Sequence, residues 1–107
     1  MFHVLYRWQL KPGKEQDFQE GWSEVVHRNV NMYGALGSKL SKCSDGWWRS
    51  LSYWPSEGHW LKALRLDDSD QQARQKMMSA ILVKEPPVTM TPVLDHVIAS
   101  KVEHKDY

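Results

Sequence analysis

The chain has 107 residues, a length that fits one domain around one core, and its 14 basic residues against 13 acidic ones leave a formal net charge of +1. So even a balance offers no footprint for phosphate backbones or anionic lipid, and nucleic acid is not expected as a partner. Charged residues make up 25% of the chain, the globular average, so disorder is not expected either. At the N-terminal end, Phe2, Val4, Tyr6, Trp8 and Leu10 alternate with His3, Leu5, Arg7 and Gln9. That period of two predicts a strand with one apolar face and one mixed face. Lys11-Pro12-Gly13 breaks the strand, and residues from about 14 to 33 carry Phe18, Trp22, Val25, Val26, Asn29 and Tyr33 at helical spacing. Gly21 inside this helix costs about 1 kcal/mol relative to alanine, which marks either a close backbone approach or a local weakness.

Tyr33-Gly34 supplies the glycine that ends a helix, and Leu36, Ser38 and Leu40 alternate in a second strand. Ser44-Asp45-Gly46 provides a hairpin turn into a third strand, Trp47 through Trp54. Trp54-Pro55-Ser56 closes it, with Ser56 as N-cap of a short helix bearing Trp60, Leu61 and Leu64. Ser69 with Gln72 resembles a capping box for a further helix carrying Ala73, Met77, Ala80 and Ile81, which Pro86-Pro87 halts. From Val88 to about Val102 the alternation predicts a last long strand, edged or bulged at Pro92, followed by a frayed tail.

Strand, helix, strand, strand, one or two helices, strand is the split βαβ order of a ferredoxin-like α+β sandwich. A four-stranded antiparallel sheet with helices on one face is therefore expected. The other face would carry Leu5, Leu51, Tyr53, Val93 and Val97, an apolar mixture that pairing of two sheets in a homodimer would cover. Arg7 and Lys39 are expected on or near that face.

Cys43 is the one cysteine, so neither an internal disulfide nor a multi-thiolate metal site can form, and a reducing cytoplasm is the expected setting. Met1 to Leu10 holds His3 and Arg7 and lacks a basic leader, so it does not read as a signal peptide. No run approaches the roughly 18 apolar residues of a membrane span, and no membrane association is expected. The five histidines have no metal-ligand spacing, and there is no nucleotide-binding fingerprint and no Ser, His and Asp triad pattern. Metal and cofactor are both expected to be absent.

Six tryptophans are the unusual feature of the composition. Tyr6, Trp8, Trp22, Trp54 and Trp60 come from four elements whose apolar faces should converge between sheet and helices. Such rings fill a core, or they wall a slot for a flat aromatic ligand, with Asn29 and Tyr33 on the neighbouring helix face supplying hydrogen bonds. His59, in the first turn of its helix beside Trp60, reads either as a solvated surface residue or as a proton-handling group over that slot.

The run of landmarks Tyr6-Arg7-Trp8, Lys11-Pro12-Gly13-Lys14-Glu15, Phe18, Trp22, Tyr33-Gly34, Leu36-Gly37-Ser38, Asp45-Gly46 and Trp54-Pro55-Ser56 resembles the antibiotic-biosynthesis monooxygenase domain family, over roughly residues 2 to 66. The resemblance implies a single domain over residues 1–107 and a dimeric α/β barrel of two packed ferredoxin-like sheets. It also implies an activity among cofactor-independent monooxygenases on quinol-like or polyketide-like aromatics. In the haem-degrading branch, three landmark residues would fall on Tyr6, Ala63 and the neighbourhood of Ala73, none of which has the required chemistry. The expected function is thus a cofactor-independent monooxygenase, with His59 or Tyr6 as catalytic residue and Trp8, Trp22, Asn29, Tyr33, Trp54 and Trp60 binding a small aromatic molecule. A non-catalytic aromatic-binding dimer and an isomerase or cyclase on the same scaffold are the alternatives.

Overall fold

A computed structural model of the chain describes residues 1–65, 71–94 and 96, with the side chain of residue 71 left aside. The element order is β1 (Phe2–Leu10), α1 (Glu15–Tyr33), β2 (Gly37–Lys42), β3 (Trp48–Trp54), α2 (Glu57–Arg65), α3 (Gln71–Ser79), β4 (Ile81–Lys84) and β5 (Val88–Met90). The sheet is antiparallel and open, ordered β2-β3-β1-β4, with β5 also paired to β1. The ferredoxin-like α+β class expected from the element order is what the chain adopts.

The strand count differs from the expected four. The edge position beside β1 is filled by two short strands: β4 pairs with Trp8 to Leu10, and β5 pairs with His3 to Leu5. Pro86 and Pro87 separate them, because neither can donate a ladder hydrogen bond. The Glu85 N–H to the Arg7 carbonyl, at 3.1 Å, is the last bond before the interruption. Ile81 accordingly belongs to a strand and not to the end of α3. β5 stops at Met90, so Val93 lies beyond it, 91% exposed, instead of on the sheet. Ser69, Val97 and the tail lie outside the described residues.

Local chemistry explains the boundaries. Gly34 adopts φ 78° at the end of α1, and the Ala35 N–H reaches back to the Asn29 carbonyl at 3.1 Å. Asp45 Oδ1 accepts the Trp47 N–H at 3.0 Å and Gly46 takes φ 88°, turning the chain from β2 into β3. Ser56 Oγ accepts the His59 N–H at 3.4 Å, the N-cap role read from the sequence.

The core lies between the sheet and the helices in two clusters. One holds Phe2, Val4, Ala35, Trp54, Trp60 and Ala63; the other holds Trp8, Phe18, Trp48 and Ala80; Tyr6 packs against both. Phe18 is fully buried, edge-on to Trp8 with ring centres 5.0 Å apart. α1 crosses α3 at Gly21, where a Cβ would stand 2.7 Å from Met77 N and 2.8 Å from Ala73 O. That glycine is a close approach and not a local weakness.

Candidate functional site

Alternation on β1 sends Tyr6 and Trp8 toward the helices, and the register pairs Tyr6 with Ser50 and Val4 with Ser52 on β3. The Trp48-x-Ser50-x-Ser52-x-Trp54 pattern therefore places two hydroxyls between two indoles on the same face. Both hydroxyls are used by neighbours. Trp22 Nε1–H donates to Ser50 Oγ at 3.2 Å, Ser38 and Ser50 share a hydrogen bond at 3.2 Å, and Trp54 Nε1–H donates to Ser52 Oγ at 3.2 Å. The Trp22 and Trp54 indoles are thus fixed in orientation as well as in place.

Above this row lies a cavity of about 260 Å³ between sheet and helices. That is slightly below the roughly 300–1,000 Å³ of pockets for drug-sized ligands. Tyr6, Trp8, Trp22, Asn29, Trp54 and Trp60 line it, as do Arg28, Arg74 and Lys84. Tyr6 and Trp8 stack in parallel, 1° between planes and 5.6 Å between centres, which gives the cavity a flat aromatic wall. Trp60 Nε1–H donates to the Tyr6 hydroxyl at 2.8 Å, and burial pushes the Tyr6 phenol above its ordinary value despite that hydrogen bond.

Two residues expected at the site stand elsewhere. His59 is exposed at the start of α2, its Nδ1 2.8 Å from Ser56 Oγ and its ring against Gly34, and it is absent from the cavity lining. The helix N-cap holds its ring outward, away from the neighbouring Trp60 that points in. Tyr33 is also absent from the lining; it packs against the first core cluster, with the Arg28 guanidinium 5.1 Å from its ring centre. Arg28 itself is buried and reaches the Ala63 carbonyl at 3.5 Å.

The cationic residues of the lining were not anticipated. Nothing in the sequence around Arg74 or Lys84 distinguishes them from other surface cations; the register of Lys84 opposite Trp8 is what turns it toward the helices. The two serines of β3 were legible, since the alternation that exposed Trp48 and Trp54 to the helices applies equally to Ser50 and Ser52. Among the described residues no group of three or more His, Cys, Asp or Glu could hold a metal ion. No described helix is long and apolar enough to cross a membrane.

No protein-family model matches the chain, and no curated protein matches it significantly in sequence. Solved structures do match, and they share its fold. A candidate antibiotic biosynthesis monooxygenase from Bordetella bronchiseptica superposes with a TM-score of 0.74 at 16% identity, covering 87% of this chain and 97% of its own. SnoaB from Streptomyces nogalater, described as a cofactor-independent oxygenase, gives 0.73 at 10% identity over 88% of this chain and 94% of its own. A candidate antibiotic biosynthesis monooxygenase from Deinococcus radiodurans gives 0.73 at 12% identity over 94% of this chain and all of its own. The chain has the fold of the antibiotic biosynthesis monooxygenase structures, in agreement with the landmarks of its sequence.

Proposed function

We propose that the chain, as one domain over residues 1–107, is a cofactor-independent monooxygenase that acts on a small quinol-like aromatic and works as a cytoplasmic homodimer. The observation that carries this reading is the Tyr6 hydroxyl in the cavity wall. It accepts the Trp60 N–H at 2.8 Å, which leaves its own proton free to be donated to a ligand. Because burial raises its pKa, Tyr6 stays a neutral donor near pH 7. A donor held in this way favours the ionised form of a ring hydroxyl placed beside it, with solvent water taking the proton.

The electron-rich anion then passes one electron to dioxygen, and the radical pair combines at a ring carbon to give a hydroperoxide. Loss of water leaves a carbonyl. One oxygen atom stays in the product, the other departs in water, and all four electrons come from the substrate, so no reductant or cofactor enters the balance. His59 stands outside the cavity and has no part in this scheme. The likeness of fold to SnoaB supports the reading.

The homodimer is supported by the sheet face turned away from the helices. Leu5, Leu51, Tyr53 and Val88 occur there beside His3 Nε2 and Arg7 Nε, two buried nitrogens without a hydrogen-bond partner among the described residues. Arg7 is otherwise engaged within its own chain, 4.2 Å over the Trp47 ring and 3.7 Å from Glu85. A second copy on this face would remove the apolar surface from water; about 800 Å² per partner is a standard interface. A monomer in sedimentation equilibrium at micromolar concentration would rule the dimer out.

The cavity lining contains neither histidine nor carboxylate among the described residues, which favours as second reading a non-catalytic dimer that binds aromatic ligands. Oxygen uptake with a panel of anthrones and naphthoquinols separates the two. Turnover in the native protein with an approximately 100-fold loss in Tyr6→Phe is the outcome expected of the monooxygenase. Saturable binding of these compounds without oxygen uptake is the outcome expected of the binding dimer.

A further inference from the structure

The polar groups of the cavity wall are unevenly distributed. Among the described residues, its ionisable lining residues apart from Tyr6 are Arg28, Arg74 and Lys84, all cationic. Arg28 is committed to the Ala63 carbonyl and the Tyr33 ring. Arg74, half-buried, and Lys84, exposed, form no ion pair with a carboxylate among the described residues, unlike Arg7, Lys14, Lys42, Arg49 and Lys76. A cation at the edge of an apolar wall, with no carboxylate partner among the described residues, attracts an anion brought to it; the wall reduces the screening at half-buried Arg74 more than at exposed Lys84.

A second polar group stands apart from these cations. Asn29 Oδ1 is buried in the cavity wall and has no hydrogen-bond partner among the described residues. A buried acceptor of this kind costs free energy until a donor reaches it. The two features belong to different ends of the cavity. Arg74 follows Ala73, whose carbonyl touches Gly21 next to Trp22, and Lys84 stands opposite Trp8. Asn29 lies seven residues beyond Trp22 on α1, about 10 Å along the helix, and next to Arg28, which reaches the carbonyl of Ala63, three residues after the Trp60 that bonds the Tyr6 hydroxyl.

We propose that the cavity takes a hydroxyaryl carboxylate: a flat aromatic of roughly two fused rings, with a hydroxyl at the Asn29 and Tyr6 end and a carboxylate at the Arg74 and Lys84 end. The inference rests on the reading of the cavity as an aromatic site, and it adds the charge and the direction of the ligand. The carboxylate is the handle that Arg74 and Lys84 hold at the cavity edge. In the bound ligand the neutral hydroxyl donates to Asn29 Oδ1 and accepts from the Tyr6 hydroxyl; the bond to Asn29 is given up when the hydroxyl ionises. Charge recognition at one end thereby places the reactive end against the aromatic wall.

Isothermal titration with 6-hydroxy-2-naphthoate, its neutral amide 6-hydroxy-2-naphthamide, and 2-naphthoate tests both ends. At low ionic strength the hydroxynaphthoate is expected to bind about tenfold or more tightly than the amide, with a preference that shrinks as salt is added. It should also bind more tightly than 2-naphthoate. The joint variant Arg74→Gln with Lys84→Gln, checked for an unchanged melting curve, is expected to lose the preference for the carboxylate while still binding the amide. Equal affinity for acid and amide, or a preference that survives in the joint variant, overturns the inference and leaves the aromatic cavity standing. Binding of none of the three overturns both. Oxygen uptake is read separately, so a failure of turnover does not bear on the charge preference.

Discussion

Replacing Gly21 by alanine sets two effects of known sign against each other. Alanine is favoured over glycine inside a helix by about 1 kcal/mol, and on that ground alone the variant would be more stable. The new methyl, however, would lie 2.7 Å from Met77 N, 2.8 Å from Ala73 O and 3.0 Å from Met77 Cβ. Ordinary contact is roughly 3.5–4.0 Å, so the distances are short by about 0.5–1.3 Å, and the two shortest involve backbone that no rotamer change can move. α3 must therefore slide away from α1, loosening the fully buried Ala73. Overpacking of this kind costs about 1–3 kcal/mol, and a shift of a whole helix belongs at the upper end. Set against the propensity gain, a net loss of about 1–2 kcal/mol is expected, or a fall in Tm of roughly 5–10 °C for a domain of this size. Calorimetric melting measures it. Because Arg74, Met77 and Met78 line the cavity from α3, ligand affinity should fall with it. A Tm equal to or above that of the native protein would refute the close approach.

Three further outcomes follow from burial and pairing. Phe18→Ala removes a fully buried ring packed on Trp8 and Trp48, and should cost about 3–5 kcal/mol in denaturant unfolding. In an alkaline absorbance titration compared with Tyr6→Phe, Tyr6 should ionise above the ordinary tyrosine value. Its folded pKa lies above the unfolded one, so its contribution to stability is complete below about pH 10 and is lost as the pH rises through the folded value; Tyr6→Phe should flatten that decline. Lys76 and its hydrogen bond hold the exposed Glu20 carboxyl below its ordinary range, with Gln16 adding to the effect. The stability that this pair contributes is present above the ordinary carboxyl pKa and is lost as the pH falls through the depressed value. Any Tm difference between the native protein and Lys76→Met should therefore be small at pH 7 and vanish in acid.

Elements whose cause is local were legible in the chain itself. The alternation of Phe2 to Leu10, the glycine after Tyr33, the Asp45-Gly46 turn and the Ser56 cap each act through neighbours a few residues away, and each produced the expected element. Alternation within β1 and β3 brought Tyr6, Trp8 and Trp54 to the side of the sheet where Trp60 of α2 meets them. Ile81 to Lys84 was different: a short apolar run suits a helix end or a strand equally, and only its pairing with Trp8, Gln9 and Leu10 made it a strand. Gly21 likewise had two local meanings, and α3, some fifty residues further along the chain, decided between them. His59 and Trp60 are adjacent in sequence, yet the N-cap at Ser56 and the phase of α2 turn one ring to solvent and the other into the cavity. Arg74 and Lys84 reach the cavity because α3 crosses α1 at a glycine and β4 fills part of the free edge of β1. Aromatic walls arise from periodicity within single elements and can be read one element at a time, whereas the charges around them come from the docking of elements distant in sequence.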